Sequence, residues 1–123
     1  MEYLYLKWID YKTNKKHLIG ALFRDKEKSK YYFKLSKSHV EKALKENAIS
    51  EIILPFYDYD RIYESDEIFA IFKIRLPRLD KLLPEELEEL LKDLDMTEYD
   101  EFEYLRKTKG ILITDKYIVE EEK

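Results

Sequence analysis

The sequence contains no cysteine, and only two histidines and two glycines occur among its 123 residues. Without cysteine the chain has no disulfide, no thiolate nucleophile and no cysteine-ligated metal site. Gly20 and Gly110 are too few for the glycine-rich loops that hold nucleotide phosphates. With only His17 and His39, the usual general base is scarce. These absences exclude secreted disulfide scaffolds and the known nucleotide-binding loops, and they disfavour hydrolytic enzymes.

Long hydrophobic runs are also missing. No apolar run approaches the roughly 18 residues that a membrane-spanning helix needs. The first residues, Met1 to Leu4, lack the basic stretch and apolar core of a signal peptide. We therefore expect a cytoplasmic protein with no membrane partner. Because 45% of the residues are hydrophobic and 15% are aromatic, a chain of this length should fold as a single domain over residues 1–123.

Charge is distributed unevenly along the chain. Residues 1–50 contain twelve basic and six acidic residues, whereas residues 51–123 contain eleven basic and twenty-one acidic residues. Such asymmetry occurs on surfaces that meet a charged partner. A solvated exterior is the simpler explanation, since the charges alternate with apolar residues at structural spacing.

The first thirty-six residues predict a three-stranded antiparallel meander. Aromatic and branched residues alternate with polar ones over residues 2–10, 17–24 and 31–35, and polar turns separate these runs. In the first strand, Leu4, Leu6 and Trp8 should face opposite Tyr3 and Tyr5. Both faces of the sheet are therefore partly apolar.

Short helices should follow the meander. Ser38 and Glu41 have the spacing of a capping box and predict a helix that ends near Asn47. Residues 49–56 then predict an extended segment or edge strand closed by Pro55, and residues 57–63 an irregular stretch. Ser65 is expected to cap a second helix, whose apolar stripe ends before Pro77.

Two further helices and a return to β-structure complete the prediction. Pro84 suits the first position of a helix, Thr97 should begin the last helix, and Gly110 should end it. Residues 111–114 and 117–119 are short β-candidates. The predicted fold is α+β, in which an N-terminal antiparallel β-meander packs against three to four short helices and a short C-terminal β-segment follows.

No catalytic constellation is visible in the sequence. His17 and His39 lack the serine, cysteine or second histidine that would form a relay, so we predict no catalytic residue, no cofactor and no metal site. Aromatic residues in a charged loop are instead common at protein interfaces. The candidate partner-binding residues are Tyr57, Tyr59, Tyr63, Phe69 and Phe72.

Nucleic-acid binding by the basic meander is the alternative. Lysines beside aromatic rings can bind phosphates while the rings stack on bases, and the candidates for this role are Lys15, Lys16 and Lys30. The acidic pI of 5.3 argues against a phosphate footprint, so direct nucleic-acid binding is the less favoured hypothesis.

An ordered set of short motifs carries a resemblance to a known family. The motifs are Ile19-Gly20-Ala21-Leu22, Tyr32-Phe33, Leu54-Pro55, the segment from Phe69 to Pro77, and Tyr99 to Leu105 before Gly110. Together they resemble the N-terminal subdomain of HipA-type serine/threonine kinase toxins, from about Leu18 to Val119. The chain is similar to the small HipS proteins, in which this subdomain is a separate polypeptide.

The resemblance implies a function as well as a fold. It implies a non-catalytic, antitoxin-like module that binds and restrains a HipA/HipT-like kinase encoded nearby in a toxin-antitoxin system. A DNA-binding HipB-like protein in the same complex is a further partner that the resemblance allows. The segment from Phe56 to Leu76 is the expected contact surface.

Overall fold

A five-stranded antiparallel sheet forms the centre of the fold in the computed structural model, which describes residues 2–46 and 56–123. The strands lie in the order β4-β3-β2-β1-β5. Their bounds are β1 Glu2–Asp10, β2 Lys15–Asp25, β3 Lys30–Leu35, β4 Tyr63–Ser65 and β5 Tyr117–Glu120. The predicted α+β fold, with its N-terminal meander and its C-terminal strand, is confirmed.

Two tight turns connect the strands of the meander. In the first turn, the carboxylate of Asp10 accepts a hydrogen bond of 3.0 Å from the backbone N–H of Lys12. In the second, Asp25 accepts from Glu27 at 3.1 Å. Aspartate favours turns because its side chain can satisfy the backbone two residues further on. The polar runs between the strands therefore form the turns that the sequence predicts.

A bulge near the middle of β2 brings Ile19 into the core. Leu6 pairs with Gly20 and Lys7 pairs with Leu18, so Ile19 is an extra residue on its strand. Its side chain is fully buried, and its carbonyl accepts a 2.8 Å hydrogen bond from the backbone N–H of Ser36. The bulge thereby joins the sheet to the helix that follows it.

In the described residues four short helices accompany the sheet: α1 Lys37–Lys45, α2 Ala70–Lys73, α3 Pro84–Asp93 and α4 Glu101–Thr108. A 3₁₀ turn, Leu79–Lys81, lies between α2 and α3. Pro84 occupies the first turn of α3 as predicted, and the carboxylate of Glu86 accepts a 2.9 Å hydrogen bond from the N–H of Leu83. In the parts of the chain that the structure describes, we found no helix with the length and apolarity to cross a bilayer.

One face of the sheet, here called the inner face, packs against the helices. Leu4, Leu22 and Phe33 lie side by side on this face in β1, β2 and β3. The helices contribute Val40 and Ala43 from α1, Phe72 from α2, and Phe102 and Leu105 from α4. The core is thus a single cluster between the inner face and the helices.

Two predicted helix starts are wrong, and strand pairing explains the second of them. α1 begins at Lys37 rather than after Ser38, and no side chain caps it. Ser65 does not begin a helix, because it pairs with Tyr31 as part of β4. The helix that follows Ser65 is only four residues long and begins at Ala70.

Two predictions near the C-terminus are also wrong. α4 begins at Glu101 instead of near Thr97, since Asp100 lies at its start and bonds to Arg24. Residues 111–114 form a loop and not a strand, and the side chain of Ile113 is fully exposed. The strand predicted at residues 117–119 is present as β5. Of the extended segment predicted at residues 49–56, only Phe56 lies within the described residues.

Candidate functional site

The loop that precedes β4 carries two of the chain's tyrosines close to one edge of the sheet, and a third tyrosine begins β4. We call residues 56 to 62 the aromatic loop. Its first residue, Phe56, is buried and packs on Phe33, with ring centroids 4.2 Å apart. The ring of Tyr63, the first residue of β4, lies edge-on to Phe56 at 5.1 Å. The loop is therefore attached to the core at both ends.

The hydroxyl of Tyr63 holds the backbone of the aromatic loop in place. It accepts hydrogen bonds from the backbone N–H groups of Tyr57 at 3.1 Å and Asp58 at 3.0 Å. Asp58 in turn accepts a 3.0 Å hydrogen bond from the N–H of Asp60. Tyr57 is 64% exposed on this fixed backbone, and Ile62 is also exposed. An apolar side chain presented by a preorganised loop loses less entropy when it binds a partner.

Tyr59 faces the protein more than the solvent. It packs against the core cluster, and burial raises the pKa of its hydroxyl. Its backbone carbonyl accepts a hydrogen bond from the ammonium group of Lys34 in β3. This contact joins the aromatic loop to the face of the sheet opposite the core.

The five predicted partner-binding residues are brought together, but they do not form one exposed surface. Tyr63 is 8% exposed and Phe72 is 0% exposed, so both side chains belong to the core. Phe69 packs against the same cluster and lies 5.3 Å from Phe56. The prediction that Tyr63 and Phe72 contact a partner directly is therefore corrected: both side chains pack in the core beneath the candidate surface. Of the five side chains, that of Tyr57 is the most available to a partner.

The three lysines proposed for nucleic-acid binding are separated in the fold. Lys15 and Lys16 begin β2, whereas Lys30 begins β3 at the opposite end of the same strand pair. Each one forms an ion pair: Lys15 with Glu46 at 3.2 Å, Lys16 with Glu120 at 2.9 Å, and Lys30 with Asp66 at 2.5 Å. Phosphate binding by all three would not use a single patch, and each lysine is already partly neutralised by its carboxylate.

An aromatic row that the sequence analysis did not single out crosses the other face of the sheet. Tyr3 and Phe23 lie with ring centroids 5.3 Å apart, and Phe23 stacks on Tyr32 at 5.1 Å. These residues are direct neighbours in the register of β1, β2 and β3. We call this side of the sheet the open face, because the three rings lie outside the core cluster.

The open face also contains a shallow cavity of about 360 Å³. Tyr3, Tyr5, Ala21, Phe23 and Lys34 are among its lining residues. Lys34 therefore links the lining of this cavity to the backbone of the aromatic loop. Alternating aromatic residues on both faces of β1 were the sequence signal for this surface, but the register of three strands was needed to align the rings.

Each histidine lies beside a polar side chain. The Nδ1 atom of His39 lies 2.7 Å from the hydroxyl of Ser36. His17 is buried at the start of β2, and its Nδ1 atom lies 4.0 Å from the carboxylate of Glu46. Within residues 2–46 and 56–123, no three acidic or histidine side chains are grouped in a way that could hold a metal ion.

Comparison with known proteins identified no relative of this chain. No family model, curated protein or solved structure matches the chain. The likeness to HipA-type kinase subdomains therefore stays a prediction from short motifs, and the functional argument depends on the surface described above.

Proposed function

We propose that this chain is a non-catalytic module that binds and restrains a HipA/HipT-like serine/threonine kinase encoded nearby. The observation that carries the binding function is the aromatic row of Tyr3, Phe23 and Tyr32, which lies outside the core beside the aromatic loop. We infer the kinase as the partner from the motif resemblance, and we infer the contact surface from the geometry.

Aromatic side chains support this proposal because they dominate the energetics of protein interfaces. Tyrosine contributes a large apolar area at a low cost in side-chain entropy, and it is enriched among interface hot spots. Tyr3 is 50% exposed and Tyr57 is 64% exposed, so each has a large free area for a partner.

Rigidity of the surface supports the proposal as well. Tyr3 and Tyr32 lie on paired strands, and the backbone of Tyr57 is held by the hydroxyl of Tyr63. A preordered surface binds more tightly than a flexible one of the same area, because less freedom is lost on association. We therefore place the centre of the contact on the open face and its border on the aromatic loop.

The test is a pull-down of the tagged protein co-expressed with the neighbouring kinase, with and without nuclease. We expect an equimolar complex that is insensitive to nuclease, and we expect the protein to lower the autophosphorylation of the kinase. Absence of a complex, or unchanged autophosphorylation at saturating protein, would overturn the proposal. Recovery of nucleic acid, or of proteins that nuclease treatment releases, would support the alternative function instead.

Matched tyrosine variants locate the contact. Tyr3→Ala and Tyr57→Ala should each raise the Kd for the kinase at least about tenfold, since truncating a hot-spot tyrosine costs more than about 1.4 kcal/mol. Tyr11→Ala is the control, because Tyr11 is equally exposed at 62% but lies in the β1–β2 turn. Equal effects of all three substitutions would contradict the assignment of the contact to this surface.

A further inference from the structure

A second, much smaller cavity lies where the start of β2 faces α1. Its volume is about 90 Å³, which suits an ion rather than a drug-sized molecule. The residues that line it are Lys15, Lys16, His17, Leu18, His39 and Lys42. Three of these side chains are ammonium groups and two are imidazoles, while none is a carboxylate.

This lining differs from that of the two cavities that α4 borders. The cavity of about 430 Å³ beside Arg24 includes Asp66, Glu67 and Glu101 in its lining. The cavity of about 350 Å³ beside Arg106 includes Glu98, Asp100 and Glu103. In both, acidic groups offset the cations locally. The small cavity beside α1 has no such groups in its wall and therefore favours an anion.

Neighbouring carboxylates neutralise the lysines of this cavity only in part. Glu46 pairs with Lys15 at 3.2 Å. Glu120 is shared, because it lies 2.9 Å from Lys16, 3.1 Å from Lys7 and 3.5 Å from Lys109. Among the described residues, Lys42 has no carboxylate partner. Positive charge thus exceeds negative charge around the cavity.

A buried imidazole in the wall has unused hydrogen-bonding capacity. The side chain of His17 is only 6% exposed, and the 4.0 Å between its Nδ1 atom and Glu46 is too long for a hydrogen bond. Buried polar groups in proteins normally have a partner. Within residues 2–46 and 56–123 the ring of His17 has no hydrogen-bond partner, so an oxyanion in the cavity would supply an acceptor for its N–H.

We propose that this cavity binds a phosphate dianion, either as inorganic phosphate or as the phosphoryl group of a phosphomonoester. Lysine ammonium groups act as point charges toward phosphate oxygens, and charge-assisted hydrogen bonds are about twice as strong as neutral ones. The site is separate from the proposed kinase-binding surface, so either assignment can fail without the other.

The experiment is a titration of the purified protein with inorganic phosphate and with phenyl phosphate at constant ionic strength, followed by ¹H–¹⁵N NMR. We expect saturable shifts at residues 15–18 and 39–42. Binding of both probes identifies a site for phosphoryl groups on larger molecules, whereas binding of inorganic phosphate alone identifies a site for the free ion. Absence of saturable shifts up to about 10 mM, a very weak affinity, would overturn the proposal.

Two lysines of α1 supply a matched pair of variants. Lys42→Gln removes a cation from the cavity wall and should weaken binding at least tenfold. Lys37→Gln removes the same charge from the same helix outside the cavity, so it should change the affinity less than twofold. Equal weakening by both variants would mean that phosphate senses only the net charge of the protein, and the site would be rejected.

Discussion

The meander and the C-terminal region are held together in different ways. The meander, residues 2–35, consists of three long strands that are consecutive in sequence and pair through adjacent turns. The C-terminal region, residues 66–123, contains helices of four, ten and eight residues, whose only buried side chains are those of Phe72, Phe102 and Leu105. In α3 no residue is buried. Short elements therefore need another source of attachment.

A buried arginine supplies much of that attachment. The side chain of Arg75 is completely buried just after α2. Its guanidinium donates to the carbonyl of Gly110 at 2.8 Å, to Asp115 at 2.6 Å and to the carbonyl of Ile71 at 2.9 Å. One side chain thus joins α2 to the loop between α4 and β5.

A second arginine connects the two regions. Arg24 lies on the inner face of β2 and donates to Glu2 at 2.9 Å and to Asp100 at 2.9 Å. Its guanidinium also lies over the ring of Phe102, 4.6 Å from the centroid. The hydrogen bond from Arg24 holds the pKa of Asp100 below its ordinary value. The start of α4 is thereby fixed to the sheet by charge.

A tyrosine strengthens the same junction. The hydroxyl of Tyr31 in β3 donates a hydrogen bond to Glu101, the first residue of α4. Burial, together with this carboxylate, raises the pKa of Tyr31 to about 12. The comparison teaches that the long strands pair through consecutive turns and apolar alternation, whereas the short helices combine a few core side chains with buried polar contacts.

Removing Arg75 should have the largest effect on stability. Arg75→Met removes the guanidinium from the carbonyl of Gly110 and from Asp115, which keeps the backbone N–H of Tyr117, so we expect a loss of about 3–5 kcal/mol in the free energy of unfolding. Urea denaturation measures it. Arg78→Met is the control, because solvent screens the exposed pair of Arg78 with Asp80 and its loss should hardly change the stability. Similar losses for both variants would break the comparison.

Adding a methyl group at Gly20 should reduce the free energy of unfolding by an intermediate amount, and this substitution tests the packing of the meander. A Cβ atom at this position would lie 2.5 Å from the carbonyl oxygen of Lys34 and 2.6 Å from the ring of Phe33. We expect Gly20→Ala to lower the free energy of unfolding by about 1–3 kcal/mol, since the strands must separate.

The neighbouring residue provides the control for Gly20. Ala21 points to the open face, so Ala21→Ser should change the stability by less than about 0.5 kcal/mol, again measured in urea. If Gly20→Ala were as stable as the unmodified protein, close packing of β2 on β3 would not be what holds the meander.

The ion pairs of Glu120 should give the smallest effect, with a defined pH dependence. Burial alone would raise the pKa of Glu120, but hydrogen bonds from Lys16 and Lys7 outweigh it and lower the pKa to about 2 from the ordinary 4.5. A carboxyl whose pKa is lowered by folding stabilises the protein above pH 4.5, and this contribution disappears as the pH falls toward 2.

Glu120→Gln removes that contribution. We expect this variant to lose less than about 1 kcal/mol at pH 7 and to show a flatter decrease in stability below the ordinary pKa of glutamate. Thermal unfolding followed by circular dichroism over this pH range measures both. Glu121→Gln, at an exposed neighbour, should keep the slope of the unmodified protein. Identical slopes for the two variants would contradict the role of Glu120.

Local patterns predicted the elements whose residues interact mainly with their sequence neighbours. The three strands of the meander and the start of α3 at Pro84 are of this kind, whereas the strand at residues 117–119 was predicted from its β-favouring residues although it pairs with the distant β1. Ser65 and Thr97 misled the prediction, because pairing of Ser65 with β3 and bonding of Asp100 to Arg24 moved the helix starts. Long-range contacts outweigh capping preferences of about 1 kcal/mol.

Some features of the candidate site were likewise predictable from local sequence, and others were not. Composition directed attention to the tyrosines of the aromatic loop, and Tyr57 is indeed exposed there. The burial of Phe72 agrees with the apolar stripe predicted for the second helix, whereas that of Tyr63 was not predictable, because residues 57–63 have no periodicity to show which side faces the core. The row of Tyr3, Phe23 and Tyr32 likewise exists only because three strands pair in one register.

The sequence by itself determined the α+β class, the meander and its two-faced strands, because side-chain alternation and turn residues act between near neighbours. Only the tertiary structure decided which face of the sheet forms the core and which carboxylates pair with the buried arginines. It also decided that Lys42 and His17 line the same small cavity. These outcomes depend on contacts between residues tens of positions apart in the sequence, and local sequence patterns do not predict such contacts.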